Sequence, residues 1–233
     1  MRTTIRMMLL AGGACALAAP AALAEGWYAS VAAGMSRAEN GLERQHAIEF
    51  DSPSTVSVSR EREAWRVAAG RLLGERFAVE INYSDYGRQT LFVSGSPNPI
   101  VFPEEVLSQS RSSQRKVTAW GVDLAARMPL PNEWWVSARV GGAYVTVQLD
   151  SRTVAAAGFP FGSGPTDFSF NARDRSLVAR MALGVACSPA RGWDLELALE
   201  HLGSAGSEFA VGAQDRTGRA RQSSAWLALS RRF

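Results

Sequence analysis

Two histidines, two cysteines and a few serines and carboxylates are the residues of this 233-residue chain whose types could do chemistry. Ester hydrolysis needs a serine hydroxyl within reach of an imidazole, and an acid to orient the ring. The stretch Glu200-His201-Leu202-Gly203-Ser204-Ala205-Gly206 holds all three types close together. On an extended chain the residue two positions from His201 shares its side. That residue is Gly203, and Ser204 points the other way, so no catalytic residue is expected. His46 stands far from His201, which argues against a histidine-rich metal site. The run Phe161-Gly162-Ser163-Gly164-Pro165 lacks the lysine and helix of a phosphate loop and reads as loop composition. Cys187 lies beside a turn signal and reads as inert. The expectation is a protein that is not an enzyme and uses no cofactor and no metal.

The more abundant polar set has its own spacing. Arg66, Arg127, Arg139, Arg180 and Arg232 fall in alternating stretches, as do Glu80, Asp123, Asp194, Glu196 and Glu200. Five positive against five negative charges on one kind of face suggest internal ion pairing or a hydrated conduit. Ion pairing is the preferred reading.

The elements carrying these residues follow from the chain ends inward. Arg2 and Arg6 precede an apolar run from Met7 to Leu17, and Ala22-Leu23-Ala24 precedes Glu25. This is the pattern of a secretory signal peptide over 1–24, cleaved between Ala24 and Glu25. Gly12 and the apolar residues after Cys15 argue against a lipoprotein signal. The remaining chain, 25–233, suits one domain. Losing Arg2 and Arg6 takes the net charge from +3 to +1, so no nucleic-acid partner is implied. Lys116 is the only lysine among 25 basic residues, a bias read as genomic composition. Cys187 alone remains after cleavage, so no internal disulfide can form. No second apolar stretch of about 20 residues offers a helical membrane span.

From Glu25 onward the sequence alternates with period two in eight segments: 27–36, 65–73, 77–86, 116–128, 134–147, 177–187, 193–202 and the C-terminal stretch. Each has about ten residues, the length of a tilted membrane strand. Three connections are short: 74–76, 129–133 and 188–192. Four are long and polar: 37–63, 87–115, 148–175 and 203–221. Such asymmetry is expected of an outer-membrane barrel, with short periplasmic turns and both termini in the periplasm.

Which face holds the bulk decides between a membrane barrel and a soluble one. Val79, Ile81, Val122, Leu124, Val136, Val140, Leu183, Leu197 and Leu199 share one face with almost no charge. The opposite face combines the charged residues with Gly, Ala and Ser. An eight-stranded barrel has room inside for little more than side chains. The expected fold is therefore all-β: an eight-stranded antiparallel transmembrane up-and-down β-barrel. Trp27, Phe77, Trp134 and Trp193 fall at one set of strand ends, and Trp65, Tyr83 and Tyr144 nearer the other. They form two expected aromatic girdles. Arg71 and Arg231 on the apolar face are placed to snorkel.

Facing residues of an antiparallel hairpin have a constant sum of positions. Setting Met128 opposite Trp134 puts Asp123 opposite Arg139. Setting Cys187 opposite Trp193 puts Arg180 opposite Glu200. Both pairs, with Arg66 and Glu80, are the expected lumenal ion pairs.

Ala64-Trp65-Arg66-Val67-Ala68-Ala69-Gly70 and Arg76-Phe77-Ala78-Val79-Glu80-Ile81-Asn82-Tyr83-Ser84-Asp85-Tyr86-Gly87 resemble the second and third strands of OmpA-like outer-membrane barrels. Gly121-Val122-Asp123-Leu124, Val136 to Gly141, and the terminal Leu229-Ser230-Arg231-Arg232-Phe233 extend the resemblance along the chain. Arg231 departs from it, since the family often has Tyr there. The resemblance implies outer-membrane lipid and lipopolysaccharide as surroundings. It also implies that Phe233 is an assembly signal read by the barrel-assembly machinery. It implies the barrel domain alone, without the peptidoglycan-binding domain. The Glu200–Gly206 stretch is partly similar to lipid A deacylases and fails at the nucleophile. The function expected is a structural or surface-interaction role, with a possible extracellular ligand held by the four loops. A narrow porin-like channel is the alternative, and a lipid-modifying enzyme the more distant one.

Overall fold

The computed structural model describes residues 26–39, 50–59, 61–97, 109–155, 166–206 and 220–233. The cleavage site at Ala24 and Glu25, His46 and the run 161–165 lie outside them. The described residues form nine strands: β1 (Trp27–Glu39), β2 (Phe50–Val58), β3 (Glu61–Leu73), β4 (Phe77–Pro97), β5 (Gln109–Pro129), β6 (Trp134–Ala155), β7 (Thr166–Ala190), β8 (Trp193–Ala205) and β9 (Ala220–Arg232). All pairings are antiparallel, and β1 pairs with both β3 and β9. The β4–β5 pairing completes the ring.

The ring has eight staves, because β2 is not a separate one. β2 pairs with the far half of β4, Val58 opposite Leu91, and β3 pairs with the near half, Trp65 opposite Asp85. Both run antiparallel to β4, so β2 and β3 together fill one place in the ring beside it. The result is a closed eight-stranded antiparallel β-barrel.

At one end the turns are tight. Gly74 and Gly192 have φ of 82° and 77°, and Asn132 and Glu133 both have 62°. These are left-handed values that glycine accepts without cost and asparagine with little. At the other end the strands continue. The expected loops 37–63, 87–115 and 148–175 are largely strand: 50–58, 61–63, 88–97, 109–115, 148–155 and 166–175. The barrel is therefore much taller on the β4–β7 side, where strands have 21 to 25 residues, than on the β8, β9 and β1 side, where they have 13.

The outward face carries a belt of bare apolar side chains, among them Ile81, Val122, Val140, Leu183, Leu197 and Leu199. One edge is marked by Trp27, Phe77, Trp134 and Trp193. The other is a row across β4, β5 and β6: Tyr83 opposite Trp120, and Trp120 opposite Tyr144. Trp65 joins that row, with ring centroids 5.3 Å from Tyr83, and Tyr83 lies 5.0 Å from Trp120. Tyr144 lies ten residues beyond Trp134 on β6. At ~3.3 Å per residue and a tilt of ~40°, the belt is ~25 Å tall. That matches a hydrocarbon layer. Arg71 and Arg231 sit at its lower edge, their guanidinium carbons 5.8 Å and 5.5 Å from the Trp27 and Trp193 rings. Phe233 closes the same edge, its N–H donating to the Trp27 carbonyl at 2.9 Å.

Candidate functional site in the barrel lumen

Inside the belt, β3, β4, β5, β6, β7 and β8 each point charged side chains at the barrel axis. Arg66 Nη1 donates to Glu200 Oε2 at 2.7 Å, and Arg66 Nη2 to Asp123 Oδ2 at 3.0 Å. Glu80 Oε2 lies 3.7 Å from Arg66 Nη2. Arg180 clamps Asp123 through Nε and Nη2, and its Nη1 donates to Asn82 Oδ1 at 2.6 Å. Arg139 Nε donates to Glu80 Oε2 at 2.9 Å, and its two terminal nitrogens form a fork with Glu196, each bond 2.5 Å. Three arginines thus meet four carboxylates. The excess negative charge is shared by neutral donors: Tyr28 to Glu80 and Tyr86 to Glu200, both at 2.7 Å, Asn82 to Asp123 at 2.9 Å, and Ser137 to Glu196. One layer nearer the tight turns, Asp194 accepts from Arg232 at 3.0 Å and Ser188 at 2.8 Å, with Arg127 at 3.7 Å.

Charges out of water are tolerated only when paired and hydrogen-bonded, and bidentate arginine–carboxylate forks are the strongest form. Small neighbours make room for them. A Cβ on Gly121 would lie 2.5 Å from Arg180 Nη2, and one on Gly184 would lie 2.5 Å from Glu196 Oε1.

The six lumenal residues singled out in the sequence all belong to this cluster, but one expected pair does not form. Met128 faces Val136, so Asp123 faces Gly141 and Arg139 faces Ala125. Cys187 faces Leu195, which sets Arg180 opposite Leu202. Both hairpins are offset by two residues, because the short connections bring different residues to the closing position. Arg139 consequently reaches Glu80 and Glu196 instead of Asp123. Arg180 keeps only a 3.9 Å contact with Glu200 and takes Asp123 as its main partner. Tyr28, Tyr86 and Asn82 went unrecognised as members. Long arginines span the lumen and bond to strands far round the ring, which neighbour arithmetic does not capture.

On the outward face, His201 Nδ1 lies 3.3 Å from Ser223 Oγ, its cross-strand partner on β9. Ser204 is exposed within the register irregularity between Leu202 and Ala205. Cys187 is half-buried and free. Among the described residues no cluster of His, Cys, Asp and Glu could hold a metal ion.

No family model and no curated protein matches this chain. Solved structures do. The crystal structure of Neisserial surface protein A aligns over 90% of this chain and 98% of its own, at 11% identity and a TM-score of 0.51. OprG from Pseudomonas aeruginosa aligns over 89% and 96%, at 9% identity and 0.46. Ail, the attachment invasion locus protein of Yersinia pestis, aligns over 90% and 100%, at 11% identity and 0.42. The likeness to the Neisserial protein shows the shared barrel fold.

Proposed function

We propose that this chain is an integral outer-membrane barrel whose lumen is closed, and that it acts as a structural or surface-interaction protein through its tall end. The observation carrying this reading is the charge network. Arg66, Glu80, Asp123, Arg180 and Glu200 are all buried, at 8% exposure or less, and they cross the lumen at the level where a conduit would have to be open. Each is held by partners on other strands, so opening a path would strand buried charges. A fold by itself does not give a function.

On this reading the tight turns and both termini face the periplasm, and the extended β4–β7 wall projects outward from the cell. Outer-membrane lipid and lipopolysaccharide surround the belt. The C-terminal strand ending at Phe233 engages the barrel-assembly machinery. An extracellular partner meets the rigid wall and the chain beyond it. Binding chemistry usually resides on loops carried by such a scaffold.

The test is single-channel recording from the refolded full chain in planar bilayers. A closed lumen gives a quiet baseline. It opens to discrete steps when Arg139→Ala and Glu80→Ala are combined. Stable steps from the unaltered protein would make the narrow channel the better reading.

A further inference from the structure

Above the aromatic row the interior changes character. Val117, Val145, Val147, Leu149, Leu91 and Val93 now point inward and are buried. Arg115 sits within this apolar collar with no exposed surface, facing Gln89 on one side and Leu149 on the other. Its Nη2 donates to Gln89 Oε1 at 2.5 Å, while its Nε and Nη1 have no partner. Arg62, on the neighbouring wall and 5% exposed, repeats the arrangement. Its Nη2 donates to Gln222 Oε1 at 2.8 Å, and its Nε and Nη1 are unpartnered. Gln222 Nε2 and Ser224 Oγ, also buried, are unpartnered too. The unmatched groups here include four guanidinium nitrogens, an amide nitrogen and a hydroxyl.

Among the described residues no carboxylate cancels these charges. Asp85 acts on Arg62 but is held by Lys116 Nζ at 3.1 Å and by the Gly87 N–H at 2.9 Å. Asp174, which faces inward from β7, has interactions of its own. The two arginines flank the same stretch of β4: a Cβ on Gly87 would lie 3.0 Å from Arg62 Cβ, Arg115 holds Gln89 two residues further on, and the Arg62 charge acts on Arg115. Burial pushes the Arg115 guanidinium down to about 9, and the Arg62 charge pushes the same way. Burial brings Arg62 down to about 10 against the pull of Asp85.

Buried donors are satisfied in native proteins by protein, water or ion. Water can fill a donor's geometry but cannot offset two like charges. An ion with several oxygen acceptors does both, and guanidinium forks match such oxygens bidentately. We propose that the upper interior of the barrel is an oxyanion site, in which Arg62 and Arg115, with Gln222 beside them, hold one phosphate- or sulfate-sized group. It lies above the closed network and is independent of whether that network conducts.

The probe is inorganic phosphate, titrated into the refolded full chain at fixed ionic strength with chloride as the balancing anion. Thermal unfolding is followed by circular dichroism. Binding to the folded state raises the midpoint in a saturable way. Arg115→Met and Arg62→Met should each weaken the phosphate effect at least tenfold. Both should still show the heat-shifted gel band of a closed barrel, because each removes a buried charge whose guanidinium is only partly satisfied by the protein. Glucose 1-phosphate in parallel separates the sources: an equal or stronger effect assigns the site to phosphorylated sugars, and no effect assigns it to the free ion. A wild-type midpoint that follows ionic strength alone overturns the site and leaves bound water as the partner of these donors. Phosphate binding undiminished in both folded variants overturns it as well.

Discussion

The barrel within the apolar belt and the barrel above it are built from the same strands with opposite polarity. On β6 the even-numbered residues face out along the whole strand. From Trp134 to Tyr144 they are Trp, Val, Ala, Val, Gly and Tyr, and from Thr146 to Asp150 they are Thr, Gln and Asp. The inward residues reverse too, from Ser137 and Arg139 to Val145, Val147 and Leu149. The lower lumen is polar and paired because its outside is apolar. The upper interior is apolar because its outside is wet, and Arg62 and Arg115 within it each keep two guanidinium nitrogens without a protein partner. One backbone can therefore carry two solvents. The side-chain pattern tells them apart at the row of Tyr83, Trp120 and Tyr144.

The largest effect expected from this contrast is in the lower network. Asp123 accepts from Arg66, Arg180 and Asn82. Asp123→Ala should cost about 3–5 kcal/mol, the penalty for stranding a buried charge. Urea unfolding of refolded protein measures it. A double-mutant cycle with Arg180 should show strong coupling, whereas one between Asp123 and Arg139 should be close to additive.

Arginine placed on the outward face separates the two regions next. Val140→Arg, in the middle of the belt, should cost about 2–4 kcal/mol in lipid. Gln148→Arg, on the same face above Tyr144, should change stability by less than about 0.5 kcal/mol. Equal costs would erase the boundary.

Arg115→Met should act in the opposite direction to Asp123→Ala, stabilising the anion-free barrel by about 1–4 kcal/mol, as apolar replacement of buried charge can do. The gain should depend on pH. The folded-state value of Arg115 is lowered to about 9, well below that of a free guanidinium, so between the two the unfolded chain binds the extra proton. Wild-type stability therefore rises relative to Arg115→Met as pH climbs above about 9, and the two converge. A gap that stays constant from pH 7 to 11 would mean that Arg115 is not desolvated.

The sequence made the belt legible because lipid demands apolar residues at every second position, and Val79, Val122 and Leu197 obey. The lumenal residues were legible as a set for the complementary reason. Their partners were not, since Arg139 and Arg180 reach across the axis to strands that no hairpin rule relates. The sequence reads as loop in the extensions because Gln109 to Arg115 is polar on both faces, and because Gln148 to Asp150 reverses the polarity that defines the strand below. The bulge between Asp85 and Arg88, with Gly87 at φ 76°, also shifts which β4 positions face inward, from Glu80 and Asn82 to Gln89 and Leu91. A strict period of two cannot survive that insertion.

The reversal of polarity at Tyr144 is tested most directly by scanning one strand with a lipid probe. With Cys187→Ser as background, single cysteines from 136 to 150 on β6 are labelled with a fluorophore in bilayers containing brominated lipid. The account predicts quenching at even positions through 144, little at odd positions, and none at 146, 148 and 150 although they face the same way. Quenching that continues at even positions to 150 would contradict it, because the upper barrel would then lie in lipid and its apolar interior would have no reason to exist.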